Sequence, residues 1–507
     1  MCGILFSNKT GLSKDRFKKS LNKFSYRGPN NSEILKIDNI LLGHNRLSIH
    51  DLSSNGNQPF FSQSGRFVTI FNGEIYNYKE LAEKYSIFLK TSCDTELLVE
   101  LYEKIGKSFL SELNGMFAFI IYDLNNGKYF AARDRLGIKP LYFCKTNDYI
   151  SYSSEVNGLK YLHNLSDIDD WAIRQYKKVR MFFGGHTIYK DIKMFPAGHV
   201  DDNGCVEKYW SLPYKVNKKP PSDIELKSLI QSAIDYRRSS DVPVGSYLSG
   251  GLDSSIIATL AKEPDTWTVG FDDDNEFYWS DIVAKKIRSK HTKVNVDYDE
   301  FIDTAKEMIE IRQEPLSVPN EVLLYLMTKQ VSSKNTVVLS GEGADELFFG
   351  YDRIFSWAMS VDSFSISEFD KLYSYGKHED NEVLESLLKP YIKENYKVID
   401  IVSHFFQVGH LHGLLRRLDN STMLCGVEAR VPFVDHRLVE LMAGVSGEYK
   451  MSNNIVKAPL KRIYKDYLSE EIVIRKKIGF PVPLDRIFNS NSQYGAWLDF
   501  NLKSLGI

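Results

Sequence analysis

Apolar and polar positions follow two different rhythms along the chain. In the first two hundred residues, the strand-like run Arg66-Phe-Val-Thr-Ile-Phe71 leads into Asn72-Gly-Glu-Ile-Tyr-Asn77, where Asn-Gly is first of all a turn signal. The spacing predicts a helix over Thr95–Lys104, with Asp94 placed to cap it. Pro196-Ala-Gly-His199 and Asp201-Asp-Asn-Gly204 read as turns, the second inside a hairpin that ends near Tyr209-Trp210. Lys218-Lys-Pro-Pro-Ser-Asp223 is a polar, proline-bearing linker. It sets a boundary between about 211 and 222, so two domains are expected, 1–210 and 222–507.

Past the linker, helical periodicity covers Glu225–Arg238, and strands then alternate with helices. Val242–Leu248, Thr266–Phe271, Thr292–Val296 and Thr336–Ser340 suit strands. Ile256–Ala261, Ser280–Ser289, Glu300–Gln313 and Val322–Ser332 suit helices. Such alternation predicts a parallel sheet, with ligands at the carboxyl ends of its strands. Leu248, Val269-Gly270 and Ser340-Gly341 are expected at those ends, where one nucleotide can touch all three.

The chemistry is densest in Tyr247-Leu-Ser-Gly-Gly-Leu-Asp-Ser-Ser255. A strand, a tight turn and a helix start aim backbone N–H groups and the positive end of a helix dipole at one spot, which suits a phosphate. Gly250 and Gly251 allow close approach, and Ser249, Ser254 and Ser255 add hydroxyls. Asp253 repels a phosphate unless a cation lies between them, so Mg²⁺ is expected there. The loop lacks the lysine and spacing of a Walker A motif. In Ser340-Gly-Glu-Gly-Ala-Asp-Glu346, Asp345 is the candidate second ligand and Glu342 a candidate acid/base. Taken alone, that acidic cluster reads equally well as a solvated loop.

Composition narrows the classes. The chain has 507 residues, 43% hydrophobic and 26% charged, as in ordinary globular proteins. Its 64 basic and 66 acidic residues leave a net charge of -2, which gives no electrostatic case for nucleic acid or an anionic membrane. No run of about 18 apolar residues suggests a membrane helix. Met1–Lys9 turns polar too quickly for a signal peptide. The five cysteines are scattered, odd in number and without a C-x-x-C pair, which argues for a reducing, cytoplasmic setting and against zinc.

Cys2 is the second candidate centre. Read blandly, it is a small buried residue near a chain end. Removal of Met1 would instead give one residue both a thiol and an α-amine, whose pKa of about 7.7–8.0 lets it take the thiol proton. Asn72 and the Gly73 N–H are candidate oxyanion donors. Arg46, in Gly43-His-Asn-Arg-Leu-Ser-Ile49, can grip a carboxylate, and Asp94 an ammonium. Separately, Arg46 could be a surface cation.

The phosphate loop resembles that of ATP pyrophosphatases. Cys2-Gly3-Ile4, Tyr26-Arg-Gly-Pro29, Gly43–Ile49, Asn72–Asn77, Asp94, Leu113-Asn-Gly-Met-Phe-Ala-Phe119 and Arg133-Asp-Arg-Leu-Gly-Ile-Lys-Pro140 follow the order seen in class II glutamine amidotransferases. One departure is Asn30, where those enzymes usually carry Asp. Asp241-Val-Pro-Val-Gly245, the loop, Ser340–Glu346, Gly350-Tyr351, Glu428-Ala-Arg-Val-Pro-Phe-Val-Asp435, Lys457 with Leu460-Lys461-Arg462, and Arg475-Lys-Lys-Ile-Gly-Phe480 resemble the synthetase half of glutamine-dependent asparagine synthetases.

The resemblance implies an α+β Ntn-hydrolase αββα sandwich, followed by an α/β parallel-sheet ATP-pyrophosphatase domain with a helical C-terminal part. It implies Cys2 as nucleophile, Asn72 and Gly73 as oxyanion hole, and Arg46, Asn72, Gly73, Glu74 and Asp94 around glutamine. It also implies ATP at Leu248, Ser249, Gly250, Gly251, Asp253, Ser254, Ser255, Val269, Ser340, Gly341 and Lys457, Mg²⁺ on Asp253 and Asp345, and Glu342 in catalysis. A homodimer is a family expectation.

The implied reaction adenylates the aspartate side chain and displaces AMP with ammonia from glutamine. Gln313-Glu-Pro-Leu-Ser-Val-Pro-Asn-Glu321, and Asn420 within Leu418-Asp-Asn-Ser-Thr-Met423, depart from the family wording near the expected acceptor site. The alternative is therefore amidation of another carboxylate, such as a uronic-acid sugar. A non-catalytic nucleotide or glutamine binder is a third reading, disfavoured by the intact Cys2, Asn72, Asp253 and Asp345.

Overall fold

The computed structural model describes residues 2–374, 379–476, 482–488 and 493–507. Met1 and the Lys477–Phe480 end of the last motif lie outside the described residues.

The first half is built from two six-stranded sheets. One runs Lys193–Met194, Tyr142–Lys145, Ile150–Ser153, Gly3–Ser7, Ile40–Arg46, Asn31–Ile37; the other runs Cys205–Lys208, His199–Asp202, Lys128–Arg133, Gly115–Asp123, Phe67–Ile75, Phe60–Phe61. Every pairing within them is antiparallel. Alternate residues of central strands meet between the sheets: Ile4, Phe6, Leu42 and Tyr152 pack on Val68, Ile70, Ala118 and Ile120. The opposite faces are covered by helices. Lys14–Asn22 and Val156–His163 lie over the first sheet, and Tyr78–Lys84 and Asp94–Ile105 over the second. This is the αββα sandwich that the resemblance implied.

Asn72-Gly73 is not a turn. The strand continues to Ile75, with Asn72 opposite Ala118 and Gly73 opposite Phe117. A side chain at position 73 would place its Cβ 2.1 Å from the Met116 carbonyl oxygen, so only glycine lets the strands approach there. Asp94 is not the cap either. It opens the helix Asp94–Ile105, and Cys93 takes the cap position.

The second half holds a five-stranded parallel sheet in the order Lys290–Val296, Asp265–Phe271, Val244–Tyr247, Val337–Leu339, Glu428–Arg430. Chain order runs outward in both directions from Val244–Tyr247. The switch point therefore falls between that strand and Val337–Leu339, where the carboxyl ends leave a crevice. Val269-Gly270 stops short of a strand end, because Asp265–Phe271 keeps its pairing through Phe271. Strand Glu428–Arg430 was not expected as a strand. Helices Asp352–Ser360, Ile366–Tyr373 and Val398–Phe405 gather a separate aromatic core on Phe355, Phe369, Phe405 and Phe406.

Residues 211–222 contain no helix or strand and yet are packed down. Tyr214 Oη donates to Asp400 (3.3 Å), and Lys218 donates from its backbone to Gly444 O (3.0 Å) and from Nζ to Glu440 O (2.7 Å). One hydrophobic core runs through both halves, from Leu5 and Phe17 to Ile256 and Val338. No helix among the described residues is long and apolar enough to cross a membrane.

Candidate active site: a thiol pocket and a phosphate crevice

The first centre surrounds Cys2, at the buried start of strand Gly3–Ser7. Its backbone N donates to Asn72 Oδ1 at 3.1 Å, and its carbonyl accepts from Arg27 Nε at 3.1 Å. Asn72 Nδ2 faces Ser154 Oγ at 3.4 Å. Burial pushes the Cys2 thiol up, while the Leu47 backbone N–H and Arg46 pull it down.

Arg46 is buried, not a surface cation. Nη1 donates to Ser53 O (2.6 Å) and Asn57 Oδ1 (2.8 Å), and Nη2 to the carbonyls of His50 (3.3 Å) and Asp51. Loop carbonyls thus fix the fork without neutralising it. Asp94 accepts from Ile75 N at 2.8 Å. Burial first, and Glu74 second, raise its carboxyl well above the ordinary range. No cation among the described residues lies within ion-pair distance of Asp94, so a ligand ammonium suits it. Glu74 is also buried and raised by burial, and it meets His50 (3.4 Å) and Arg430 (3.3 Å). Arg430 comes from the parallel sheet of the other half, so residues of both halves meet beside the thiol centre.

The second centre lies at the switch point, around a cavity of about 250 Å³. Helix Leu252–Ala261 begins earlier than the apolar run suggested and carries Asp253 in its first turn. Gly251 is its cap and, lacking a side chain, makes no side-chain cap bond. Ser249 and Ser254 brace the loop through a 3.1 Å hydroxyl contact, and Ser255 Oγ ties back to Gly251 O at 2.6 Å. Gly250 has φ +74°, and a Cβ there would lie 2.4 Å from the Trp279 carbonyl carbon. At Gly341 a Cβ would meet Asp253 Cβ and Ser254 N at 3.0 Å, so this glycine lets the two loops close on each other.

Ser249, Gly251, Asp253, Ser254, Ser340, Gly341, Glu342, Asp345 and Lys457 all line the cavity. Leu248 and Val269 are buried in the sheet, and with Gly250 and Ser255 they support its wall without lining it. Lys457 bridges the two aspartates, 2.5 Å from Asp253 Oδ2 and 2.6 Å from Asp345 Oδ1. Burial alone would lower its pKa, but the two carboxylates raise it. The ammonium thus stands between the two expected metal ligands. The chemistry of the pair fits one shared cation: two converging carboxylates, with the remaining positions open to phosphate oxygens and water. Among the described residues no group of three or more acidic, His or Cys side chains forms a cage.

Several lining residues lay in motifs quoted from the sequence but were given no role there, namely Asn320, Glu321, Lys461, Arg475 and Lys476, and Arg417 was missed altogether. The basic run Arg475-Lys-Lys was the available signal for Arg475 and Lys476. Arg417 Nη2 reaches Glu342 Oε1 at 3.5 Å. Asn420 instead lines a larger cavity of about 480 Å³, which shares Glu321 and Arg417 with the phosphate crevice.

Comparison with known proteins agrees with this two-centre plan. The asparagine synthase family matches residues 225–503, and the glutamine amidotransferase domain matches residues 1–210. Asparagine synthetase [glutamine-hydrolyzing] 1 of Bacillus subtilis is 29% identical over 96% of this chain and 87% of its own length. Asparagine synthetase [glutamine-hydrolyzing] 3 of the same organism is 27% identical over 95% and 87%, and asparagine synthetase B of Escherichia coli 28% over 95% and 82%.

Proposed function

The chain belongs to the asparagine synthase family and carries a glutamine amidotransferase domain ahead of the synthase part, and from that premise we propose that it makes asparagine from aspartate, glutamine and ATP. It is an ATP-dependent, glutamine-hydrolysing amide ligase. The observation that carries the residue-level reading is the meeting of the Ser249–Ser255 and Ser340–Asp345 loops at the switch point, with Lys457 between Asp253 and Asp345.

At the thiol centre, loss of Met1 gives Cys2 a free α-amine at the place where its N now donates to Asn72. That amine takes the thiol proton, and Sγ attacks the glutamine side-chain carbonyl. The Asn72 amide and Gly73 N–H stabilise the oxyanion, the α-ammonium returns the thiol proton to the leaving nitrogen so that ammonia departs, and water hydrolyses the thioester to glutamate and the free thiol. Arg46 grips the glutamine α-carboxylate, and Asp94 with Glu74 holds its ammonium.

At the phosphate centre, the loop N–H groups, the serine hydroxyls and Lys457 bind ATP phosphates. An aspartate carboxylate oxygen attacks the α-phosphorus, pyrophosphate leaves, and a carboxyl–AMP anhydride forms. Ammonia adds to the activated carbonyl, Glu342 takes a proton from the incoming nitrogen, and AMP departs. Asp253 and Asp345 would hold Mg²⁺, which supplies charge neutralisation for the departing pyrophosphate. Lys457, which holds both aspartates in this structure, would then give its charge to phosphate.

The test is pyrophosphate release with glutamine and a panel of carboxylic acids. Aspartate should be the preferred acceptor, and Asp253→Asn should abolish release. Undiminished release by that variant would overturn the metal assignment, and preference for another acid would overturn the acceptor.

A further inference from the structure

Beside the phosphate crevice lies the larger cavity of about 480 Å³, to which neither half-reaction assigns a ligand. Helix Asp170–Val179 of the first half forms one side of it. The other side is helix Leu411–Met423 and the π-helical turn Phe406–His410 that leads into it. A π turn inside a helical run is rare and sits most often at a functional site. Gly409 of that turn lines the cavity.

The wall is apolar on Trp171, Tyr176, Phe182 and Phe195, and the charges set into it are mostly positive. Arg133, Arg180, Arg416 and Arg417 line the cavity against one carboxylate, Glu321. The acids that meet Arg416 and Arg417, Glu314 and Glu342, are not part of the lining. Arg133 is buried, and its guanidinium donates to three carbonyl oxygens, of Lys139 (2.7 Å), Phe195 (2.6 Å) and Gly137 (2.9 Å). No carboxylate among the described residues lies within ion-pair distance of it. Glu321 accepts from the N–H groups of Ser317 (2.6 Å) and Val318 (3.1 Å), and burial raises its carboxyl, so it opposes these cations weakly.

Three polar atoms on the lining residues are buried with no hydrogen-bond partner among the described residues: Gln175 Nε2, Arg416 Nε and His412 Nε2. Gln175 is fully buried, and its Oε1 accepts from the Phe183 N–H at 3.0 Å, which fixes which way the amide points. Its Nε2 is left as a donor that a ligand oxygen would satisfy. Burial first, and Arg133 second, push the His412 imidazolium down to about 3, so that ring is neutral. Donors and cations without matching acceptors call for an oxyanion, and a cavity of this volume suits an organic molecule more than a lone ion.

We propose that this cavity binds a small organic acid, carboxylic or phosphoric, distinct from glutamine, ATP and the acceptor, with its oxygens on Gln175 and the surrounding arginines and its carbon body against the aromatic wall. Arg417 and Glu321 line both cavities, so an acid seated here competes with Glu342 for Arg417 and opposes aspartate binding.

The experiment is calorimetric titration of the full chain with phthalate, citrate and glucose 6-phosphate, and with inorganic phosphate as the bare-ion control. At least one organic acid should bind saturably, one per chain and at least tenfold more tightly than inorganic phosphate. The first two probes against the third tell carboxylate from phosphate ester. Gln175→Glu keeps an acceptor for the Phe183 N–H and turns the unpartnered donor into an oxygen. It should weaken that acid at least tenfold while ATP affinity stays within twofold. Arg180→Gln should weaken it too, and decides alone if Gln175→Glu does not fold. Absence of saturable binding by all three acids, binding no tighter than that of phosphate, or binding unchanged in the folded variants overturns the inference. Displacement of the acid by ATP with Mg²⁺ also overturns it, by placing the acid in the phosphate crevice. In turnover the acid should raise the aspartate KM at least threefold. Consumption of the acid with pyrophosphate release would make it an acceptor and overturn the inference. Only these turnover arms rest on the proposed reaction: a chain that binds the acid and does not use aspartate overturns that reaction and leaves the site standing.

Discussion

Burial sets the protonation of single side chains in this molecule, and its cost is plain where no partner offsets it. Lys450 shows the cost most plainly. Its Nζ is buried without a hydrogen-bond partner among the described residues, over the Phe349 ring at 4.8 Å. Desolvation lowers its pKa to about 7, against about 10.4 in an unfolded chain. Between those values the unfolded chain binds a proton that the folded chain does not, so this group makes stability rise with pH from about 7 to about 10. Below pH 7 its full cost is present. Lys450→Met should therefore stabilise the protein at pH 7 by about 1–4 kcal/mol, with the gain shrinking toward pH 10. Thermal melts of both proteins across that range check it, and a pH-independent difference would contradict the assignment. Gly250 is the opposite case, a residue required by its backbone. Gly250→Ala combines a left-handed φ with a clash on Trp279. It should cost about 1–3 kcal/mol and weaken ATP binding, as denaturant unfolding and nucleotide titration would show.

At the scale of elements, periodicity revealed what was apolar and concealed what was charged. The strands Val244–Tyr247, Asp265–Phe271 and Val337–Leu339 were legible, because both faces of a parallel sheet are buried and the runs are apolar. Glu428-Ala-Arg430 was not. It is a buried edge strand with two charged residues, stabilised mostly by partners far away in sequence: Arg430 Nη1 donates to Arg237 O (2.9 Å) and Ser239 O (2.6 Å), and the guanidinium meets Glu74 as well as its neighbour Glu428. For the same reason the Arg27–Asp419 pair, 392 residues apart, left no local trace. Loop chemistry was easier to see. Ser249–Ser255 and Ser340–Glu346 announced the crevice through glycine and acid placement, whereas the start of helix Leu252–Ala261 was legible only once the chain was folded. The charged strand carries a prediction of its own. Arg430→Leu removes the guanidinium that meets both buried carboxylates, Glu74 and Glu428, so it should lower stability by about 3–5 kcal/mol, read from the urea midpoint. A loss under about 1 kcal/mol would mean that water or another cation replaces Arg430.

As a whole molecule, the chain joins its amidotransferase and synthase parts through one continuous core. Ammonia in neutral water is mostly ammonium and unreactive, so generating it inside the same protein keeps it nucleophilic and supplies the advantage of an intramolecular step. The shared parts are structural. Arg430 meets Glu74 from the synthase side, Arg27 reaches the synthase helix from the amidotransferase side, and Trp210 Nε1 donates to Glu440 Oε1 at 2.7 Å beside the junction. A chain divided in this way should lose one activity without losing the other when one centre is removed. The most direct measurement is pyrophosphate release by Cys2→Ala with aspartate and ATP, driven first by glutamine and then by ammonium at alkaline pH. Glutamine-driven release should fall to background while ammonia-driven release stays near the wild-type rate. Loss of both in a folded variant, or survival of the glutamine-driven reaction, would contradict the division of labour between the two centres.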